Sequence, residues 1–267
     1  METPTEPISF QKAVDQHNAY REYLECMLPR VIELEPDESF PDCIFVEDTA
    51  VVVDDKAVIT NIGADSRKGE VAAVQDAMEK IGLKITDMRE VDETATCDGG
   101  DVLYPVSYKR DGPGPLQKFG GKHLFVGLSS RTNQAGASVL QEAFPDVEVV
   151  AVDLDGMTST KALHLKSIVT HLDENTLLVP DGEEWKGFTD RMGLQDRGYE
   201  VVRLPDPTAC NVVSVNGKVI AQPNIGQESM SILMDEVEKR GMMLVWVDVS
   251  EYAKCDGALT CKSILIP

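Results

Sequence analysis

A repeated order of short strands and helices limits what this chain can fold into. A unit of strand, strand, helix and strand occurs four times, beginning near Thr49, Val102, Leu163 and Asn211. One such unit cannot bury both faces of its own sheet, so the units must pack against one another. We therefore predict an α/β fold in which the units form a closed ring.

The two ends of the chain supply an incomplete fifth unit. Phe10–Met27 has the apolar spacing of a helix, and Arg30–Leu34 is typical of a short strand. Ser263–Ile266 reads as a last strand that joins this unit and closes the ring, so that residues 1–267 form a single domain. The Gly- and Pro-rich stretch Pro105–Gly121 is predicted to be a surface insertion without chemistry.

The net charge of −21 bears on the class of ligand. A field of this sign repels nucleic acid and anionic membranes and attracts a cationic substrate. The first residues lack the pattern of a signal peptide, and no apolar run is long enough to cross a bilayer. Scattered cysteines without a CxxC pair favour reduced thiols and a cytoplasmic location; they are Cys26, Cys43, Cys97, Cys210, Cys255 and Cys261.

Three residues have the chemistry of a nucleophilic hydrolase. Cys261 follows a Gly-containing turn and opens a β-branched run, a position that suits a nucleophile, although a buried core thiol is the plainer alternative. His164 lies in an apolar stretch read as a strand; it fits a general acid and base, or a core histidine. Asp98 belongs to Cys97-Asp-Gly-Gly-Asp101, whose glycine pair permits close approach to a ligand or equally forms an ordinary tight turn.

Glu47 and Asp48 interrupt an apolar run that is predicted to form strands at Cys43–Val46 and Thr49–Val53. A carboxylate pair in such a run binds a guanidinium or ammonium group, unless the pair forms an ordinary polar turn. Asp42 lies just upstream and adds a third carboxylate.

Arg67 and Arg131 stand near helix starts in successive units, where two guanidinium groups can hold a carboxylate. Surface arginines are common, so this pattern alone is weak. A zinc site is not supported, because the Cys and His residues lack ligand spacing.

In combination, five motifs resemble the dimethylarginine dimethylaminohydrolase family, which belongs to the guanidine-modifying enzymes with the pentein fold, a five-bladed α/β-propeller. The motifs run in the family's order over nearly the whole chain. They are Phe40-Pro-Asp-Cys-Ile-Phe-Val-Glu-Asp-Thr-Ala50, Asp98-Gly-Gly-Asp101, Gly127-Leu-Ser-Ser-Arg-Thr-Asn-Gln134, Leu163-His-Leu-Lys-Ser167 and Asp256-Gly-Ala-Leu-Thr-Cys261.

The resemblance implies a role for each candidate residue. Cys261 is expected to be the nucleophile and His164 the general acid and base, with Asp98 holding the imidazole. The remaining residues are expected to bind substrate: Glu47 and Asp48 the guanidinium, Asp42 the α-amino group, Arg67 and Arg131 the carboxylate, Phe45 the pocket wall, and Cys255 and Asp256 through their backbone carbonyls.

The implied reaction is hydrolysis of asymmetric dimethylarginine or monomethylarginine to citrulline, through a covalent thiouronium, without metal or organic cofactor, in a monomer or homodimer. Two alternatives stay open: an arginine or agmatine deiminase of the same superfamily, and a non-catalytic binding relative. The second rests on the first unit, which starts almost at its helix and lacks the strand and lid loop expected from the family.

Overall fold

A computed structural model describes residues 6–109, 117–154 and 163–267. Helix α1 spans Phe10–Met27, the bounds that the apolar spacing predicts. The hydroxyl oxygen of Ser9 accepts a hydrogen bond from the Lys12 N–H at 3.4 Å, which caps the first turn. Tyr20, Leu24 and Met27 lie on the buried face of the helix.

Four three-stranded sheets follow, and we call each sheet with its helix a blade. Blade 1 contains β1 (Ala50–Val53), β2 (Lys56–Ile59), α2 (Val71–Lys80) and β3 (Lys84–Asp87), followed by the short α3 (Met88–Val91). Blade 2 contains β4 (Val102–Leu103), the paired insertion strands β5 (Val106–Lys109) and β6 (Gln117–Gly120), then β7 (His123–Leu128), α4 (Gln134–Ala143) and β8 (Glu148–Asp153).

The other two blades repeat this order. Blade 3 contains β9 (Thr170–Asp173), β10 (Thr176–Pro180), α5 (Glu183–Met192) and β11 (Glu200–Leu204). Blade 4 contains β12 (Val213–Val215), β13 (Lys218–Ala221), α6 (Gln227–Lys239) and β14 (Met243–Trp246), and the short α7 (Ser250–Ala253) comes after it. In every blade the middle strand pairs antiparallel with the first strand and parallel with the last. The repeat read from the sequence is confirmed.

The hydrophobic core lies between blades rather than within them. Val58 of blade 1 shares a cluster with Val126 of blade 2, and Phe125 of blade 2 shares another with Phe188 of blade 3. Further clusters join blade 3 to blade 4, blade 4 to α1, and the C-terminal residues to blade 1. Each blade therefore buries its faces only with the help of its neighbours, and the contacts close into a ring.

Several predicted strands are wrong. Arg30–Leu34 and Ser263–Ile266 lie outside any strand of the described chain, and Cys43 lies in a turn. Arg30–Leu34 and Ser263–Ile266 still direct apolar side chains such as Leu34 and Ile264 against the blade 1 cluster. Their apolar pattern reflects this packing, which does not require a backbone ladder. The single domain over residues 1–267 stays a prediction.

Short 3₁₀ turns stand before the first strands of the blades, and we number them in chain order. Turns 1 to 4 precede β1, β4, β9 and β12, and turn 5 precedes the C-terminal residues; they are Val46–Thr49, Gly99–Asp101, Leu165–Ser167, Pro207–Cys210 and Thr260–Lys262. Turn 1 contacts turns 2 and 5, turn 3 contacts turns 2 and 4, and Asn211 after turn 4 hydrogen-bonds the backbone that enters turn 5. The five turns form an inner ring.

Candidate active site

The inner ring brings together the predicted catalytic residues and the predicted guanidinium-binding carboxylates. Glu47 and Asp48 lie in turn 1, Asp98 caps turn 2, His164 caps turn 3, and Cys261 lies in turn 5. All five are buried. Turns 1 to 4 stand before the first strands of their blades, and the turns of the ring contact one another, which brings their polar side chains together.

His164 has a carboxylate on each side of its ring. Its Nε2 lies 3.0 Å from Oδ2 of Asp98, and its Nδ1 lies 3.9 Å from Oδ1 of Asp48. The other oxygen of Asp98 accepts the Gly63 N–H at 2.7 Å, which fixes the carboxylate. Burial lowers the pKa of His164, but the charges of Asp48, Asp101 and Asp98 outweigh it and raise that pKa to about 10. The imidazole is therefore protonated at neutral pH and can donate a proton.

Gly100 makes room for this pair of contacts. A Cβ at Gly100 would lie 2.8 Å from both Asp48 Oδ1 and His164 Nδ1, and its N–H donates to Asp48 Oδ1 at 3.0 Å. Any side chain at this position would enter the space between carboxylate and imidazole. The glycine pair seen in the sequence is thus required by close approach.

Cys261 is buried in turn 5, where its Sγ accepts a hydrogen bond from the Ala258 N–H at 3.4 Å. Burial raises the pKa of the Cys261 thiol, and the charges of Glu47 and Asp48 raise it further. In the free protein the sulfur therefore holds its proton. Thr260, the residue before Cys261, donates to Glu47 Oε2 at 3.0 Å, so turn 5 lies beside the carboxylate pair.

The carboxylates of turn 1 already have cationic partners. Glu47 Oε1 lies 2.7 Å from the ammonium of Lys166, and Glu47 Oε2 accepts the Thr260 hydroxyl at 3.0 Å. Asp48 Oδ2 accepts from Arg67 Nη1 at 2.6 Å. Burial raises the pKa of Glu47 despite Lys166, whereas His164 and Arg67 overcome burial and lower the pKa of Asp48.

Arg67 lies in a further 3₁₀ turn, Asp65–Arg67, and its guanidinium is buried. Besides Asp48, it donates to both carboxylate oxygens of Glu70 at 2.7 to 3.1 Å and to the Phe45 carbonyl at 2.9 Å. In the free protein these acceptors occupy the fork that was expected to hold a substrate carboxylate. A role of Arg67 in substrate binding stays a prediction. Its hydrogen bonds to Asp48, Glu70 and the Phe45 carbonyl give Arg67 a structural role.

Arg131 differs from Arg67. Its backbone packs against Gly63, where a Cβ would lie 2.4 Å from the Arg131 carbonyl oxygen. The side chain is half-buried and makes no hydrogen bond or ion pair within residues 6–109, 117–154 and 163–267. Of the two arginines, Arg131 has the guanidinium that is available to a ligand.

The other predicted contacts lie at one side of the ring. The Phe45 N–H donates to the Asp42 carbonyl at 2.9 Å, and the Phe45 ring packs edge-to-face on Tyr252 with 6.2 Å between centroids. A Cβ at Gly257 would lie 2.3 Å from that ring, so the Phe45 wall requires glycine there. Burial raises the pKa of the half-buried Cys255, and the charge of the buried Asp42 raises it further. Asp256 is exposed, with φ of 60°. The expected backbone contacts of Cys255 and Asp256 stay predictions.

Three residues of the site were missed by the sequence reasoning. Lys166 pairs with Glu47, and Asp101 accepts from Ser129, Thr132 and the Leu165 N–H at 2.7, 2.7 and 3.0 Å. Asn211 bonds both the Lys166 carbonyl and the turn 5 backbone. Asp101 and Lys166 stand in two of the family motifs, but no role was expected for them; each of the three is a polar residue beside an apolar run.

Asp48, Asp98 and His164 offer ligand atoms within 4.8 Å of one another. The donor set fits a divalent cation poorly, because Arg67 already neutralises Asp48 and the imidazole is protonated. A metal ion would have to displace both Arg67 and the imidazole proton.

None of the helices in the described parts of the chain has the length and hydropathy of a membrane span.

Several proteins of known name are similar to this chain in sequence over nearly its whole length. The family model described as "N,N dimethylarginine dimethylhydrolase, eukaryotic" matches residues 3–262. The N(G),N(G)-dimethylarginine dimethylaminohydrolase of Streptomyces coelicolor is 33% identical, covering 97% of this chain and 88% of the relative. The protein of that name from Pseudomonas aeruginosa is 29% identical over 96% of this chain and 89% of its own.

A solved structure extends the likeness to the backbone. The dimethylarginine dimethylaminohydrolase from Pseudomonas aeruginosa, a cysteine-to-serine variant in complex with citrulline, matches with a TM-score of 0.79 and 27% identity, covering 98% of this chain and 91% of that one. The predicted pentein fold, a five-bladed α/β-propeller, is confirmed by this neighbour. The chain belongs to the dimethylarginine dimethylaminohydrolase family.

Proposed function

We propose that this protein hydrolyses asymmetric dimethylarginine and monomethylarginine to citrulline and the methylated amine. The observation that carries the proposal is the convergence, on one inner ring, of a buried thiol, a protonated imidazole and two carboxylates that can bind a guanidinium. The citrulline bound in the Pseudomonas aeruginosa structure is the product that this reaction would release.

The guanidinium of the substrate binds the carboxylates of Glu47 and Asp48. These are the charges that raise the pKa of the Cys261 thiol, so a cation bound between them cancels their effect on the sulfur. The thiol then releases its proton to the solvent more easily, because the already protonated His164 cannot take it up. Substrate binding thus helps to create the nucleophile.

The Cys261 thiolate attacks the guanidinium carbon and forms a carbon–sulfur bond. His164, whose Nε2 is held by Asp98, donates its proton from Nδ1 on the side of Asp48, and the bond to the methylated nitrogen breaks. Dimethylamine or methylamine leaves, and a thiouronium stays on Cys261. Neutral His164 then takes a proton from water, which adds to the same carbon; breakage of the carbon–sulfur bond releases citrulline and the thiol.

The groups at the other end of the substrate are arranged by charge. Arg131 binds the α-carboxylate and the buried Asp42 carboxylate binds the α-amino group, while Phe45 lines the wall between them. We keep Arg67 in the proposal as a support for Asp48 and as a second contact to the carboxylate. The backbone carbonyls of Cys255 and Asp256 complete the pocket.

We also propose a cytoplasmic location. The six cysteines are free thiols, which suits a reducing compartment. The absence of nucleic-acid and membrane partners stays a prediction from the charge of the sequence, and the monomer or homodimer stays a prediction from the family resemblance.

Release of citrulline from asymmetric dimethylarginine or unmethylated arginine, and of N-carbamoylputrescine from agmatine, tests the function. We expect turnover of the methylated substrate alone, and its loss in Cys261→Ser. Turnover of arginine or agmatine instead would overturn the methylarginine assignment. A folded protein without turnover of any of the three would mean a binding protein.

A further inference from the structure

The proposed reaction uses no side chain from turn 4 of the inner ring. The residue that follows this turn, Asn211, nevertheless has hydrogen-bond partners for all of its side-chain groups. Asn211 is buried, and its Oδ1 accepts the N–H groups of Leu259 and Thr260 at 2.9 and 3.3 Å. Its Nδ2 donates to the Lys166 carbonyl at 2.7 Å and to Thr260 Oγ1 at 3.1 Å. A buried amide that satisfies all its groups on two functional loops fixes those loops relative to each other.

These bonds form a closed circuit. Thr260 Oγ1 accepts from Asn211 and donates to Glu47 Oε2 at 3.0 Å. The other oxygen of Glu47 lies 2.7 Å from Lys166 Nζ, and the Lys166 carbonyl accepts from Asn211. The two hydrogens of Asn211 Nδ2 go to two acceptors, the Lys166 carbonyl and Thr260 Oγ1, and the Thr260 hydroxyl hydrogen goes to Glu47, so the direction of these bonds is determined.

The circuit connects a substrate-binding carboxylate with the nucleophile. Thr260 precedes Cys261 in turn 5, and Lys166 lies one residue beyond Leu165, which follows His164. Glu47, the guanidinium ligand, is thereby bonded to the turns that carry both catalytic side chains. A nucleophile must be placed to within a fraction of an ångström of the carbon it attacks, and a small displacement lowers the rate strongly.

We propose that Asn211 and the Thr260 hydroxyl are positioning residues, which hold Cys261 in register with a guanidinium bound at Glu47. The proposal rests on the proposed function. Neither residue touches the reacting atoms. Without the hydroxyl, the Asn211 N–H and the Glu47 oxygen both lose a partner, and turn 5 loses its link to turn 1.

The test compares Thr260→Val, which keeps the shape of the side chain and removes the hydroxyl, with Thr260→Ser, which keeps the hydroxyl. We expect kcat of Thr260→Val to fall about tenfold with KM changed by less than about a factor of two, the pattern of a lost transition-state contact. We expect Thr260→Ser to stay within about threefold of the wild-type kcat. Asn211→Ala should lower kcat at least as much as Thr260→Val.

A second measurement does not depend on turnover. Alkylation of Cys261 by iodoacetamide, followed by peptide mass spectrometry, should be faster in Thr260→Val because a looser turn exposes the buried thiol. Thr176→Val is the matched control: its buried hydroxyl accepts from Arg240 Nε at 3.2 Å and Nη2 at 3.1 Å at the start of β10, and neither residue lies in a turn of the inner ring. We expect this control to lower the melting temperature to a similar extent while kcat and alkylation stay at wild-type values.

The outcomes distinguish a failure of the positioning role from a failure of the proposed function. Active wild type with an equally active Thr260→Val overturns the positioning role alone. Equal loss of kcat in Thr260→Val and Thr176→Val also overturns it, because the effect would then be general stability. A Thr260→Ser variant as slow as Thr260→Val excludes the hydroxyl as the responsible group. Wild type without turnover overturns the proposed function itself, and is read before any variant.

Discussion

Each carboxylate of turn 1 holds a cation before any ligand arrives. Lys166 is paired with Glu47, and Arg67 with Asp48. The Arg67 guanidinium is the same functional group as the head of an arginine substrate. A ligand therefore joins an existing ion-pair network and redistributes its bonds, and the free energy of binding is the difference between two paired states rather than the full attraction of two charges.

Lys262 is a buried amine without a hydrogen-bond acceptor in the described chain. Its ammonium lies 3.9 Å from the centroid of the Tyr252 ring and 5.1 Å from that of Tyr20. These rings favour the charged form, but burial lowers the pKa of Lys262 to about 7. The residue next to the proposed nucleophile thus changes charge near physiological pH.

This shift predicts how stability depends on pH. An unfolded lysine has a pKa of about 10.4, so as the pH falls from 10 the unfolded chain takes up a proton that the folded protein refuses down to a pH of about 7. Lys262 therefore leaves the free energy of unfolding undiminished above the pKa of the unfolded lysine, about 10.4, and lowers it progressively as the pH falls toward about 7. We expect Lys262→Met to stabilise the protein at pH 7 by about 1–3 kcal/mol and by much less at pH 10. Urea unfolding at the two pH values measures this, and an equal effect at both would contradict it.

The two arginines of the expected carboxylate clamp should respond differently to removal. Arg67→Met leaves the buried carboxylates of Asp48 and Glu70 without their cation, so we expect a loss of about 3–5 kcal/mol in the free energy of unfolding. Arg131→Met breaks no bond in the described part of the chain and should change stability by less than about 0.5 kcal/mol. If Arg131 binds the substrate carboxylate, the KM of the Arg131→Met variant for asymmetric dimethylarginine should rise at least about tenfold. Equal melting temperatures for the two variants would contradict this division of roles.

Among the elements, turns 1 and 2 are packed so closely that one glycine controls their distance. A Cβ at Gly99 would lie 2.0 Å from the Glu47 carbonyl oxygen, which is backbone and cannot rotate away. Turn 1 would have to move, together with Glu47 and Asp48. The position of the carboxylate pair therefore depends on the absence of a side chain in the neighbouring turn.

We expect Gly99→Ala to destabilise the protein by about 1–3 kcal/mol and to reduce turnover strongly, because overpacking shifts the backbone of turn 1. Gly187→Ala is the matched control: Gly187 lies within α5, and its Cβ would meet only Arg191 Nη1, at 3.8 Å. There the substitution should stabilise the helix by about 0.5–1 kcal/mol with unchanged turnover. Melting temperatures and kcat of the two variants decide; a Gly99→Ala variant as active as wild type would contradict the argument.

Elements with regular periodicity could be predicted from the sequence, and the turns of the inner ring could not. Helix α1 has the predicted bounds because side chains on a buried face repeat with the period of the element. Cys43–Val46, His164 and the residues after Cys261 were read as strands. They are apolar because the inner ring is buried, and a short apolar run does not distinguish a strand from a turn.

The candidate site follows the same division. Charge and residue type pointed to Glu47, Asp48, His164 and Cys261, since buried polar residues stand out in an apolar run. The pairing of Arg67 with Glu70, and the circuit through Asn211, depend on distances between turns that are far apart in sequence. No local pattern carries those distances.

On the scale of the whole molecule, the net charge of −21 accompanies a core divided among the junctions between blades. The charge does not determine the fold, but it attracts a cationic substrate toward a site that is itself lined by carboxylates. Screening by salt weakens this attraction.

We therefore expect kcat/KM for asymmetric dimethylarginine to fall several-fold between low and high ionic strength, mainly through KM. The inhibition constant of citrulline, whose side chain is uncharged, is the control and should change much less. Steady-state kinetics over a series of sodium chloride concentrations measure both. The same salt dependence for the two ligands would show that the overall charge has no part in binding.

The buried, protonated thiol of Cys261 has a consequence for the lifetime of the protein. Peroxides and alkylating agents react with thiolates far faster than with thiols, and a sulfur that keeps its proton resists them. Exposed Cys26 is open to such damage without loss of the site. In the free protein Cys261 Sγ thus reacts slowly with oxidants and alkylating agents. It becomes reactive toward them only while a cation occupies the neighbouring carboxylates of Glu47 and Asp48.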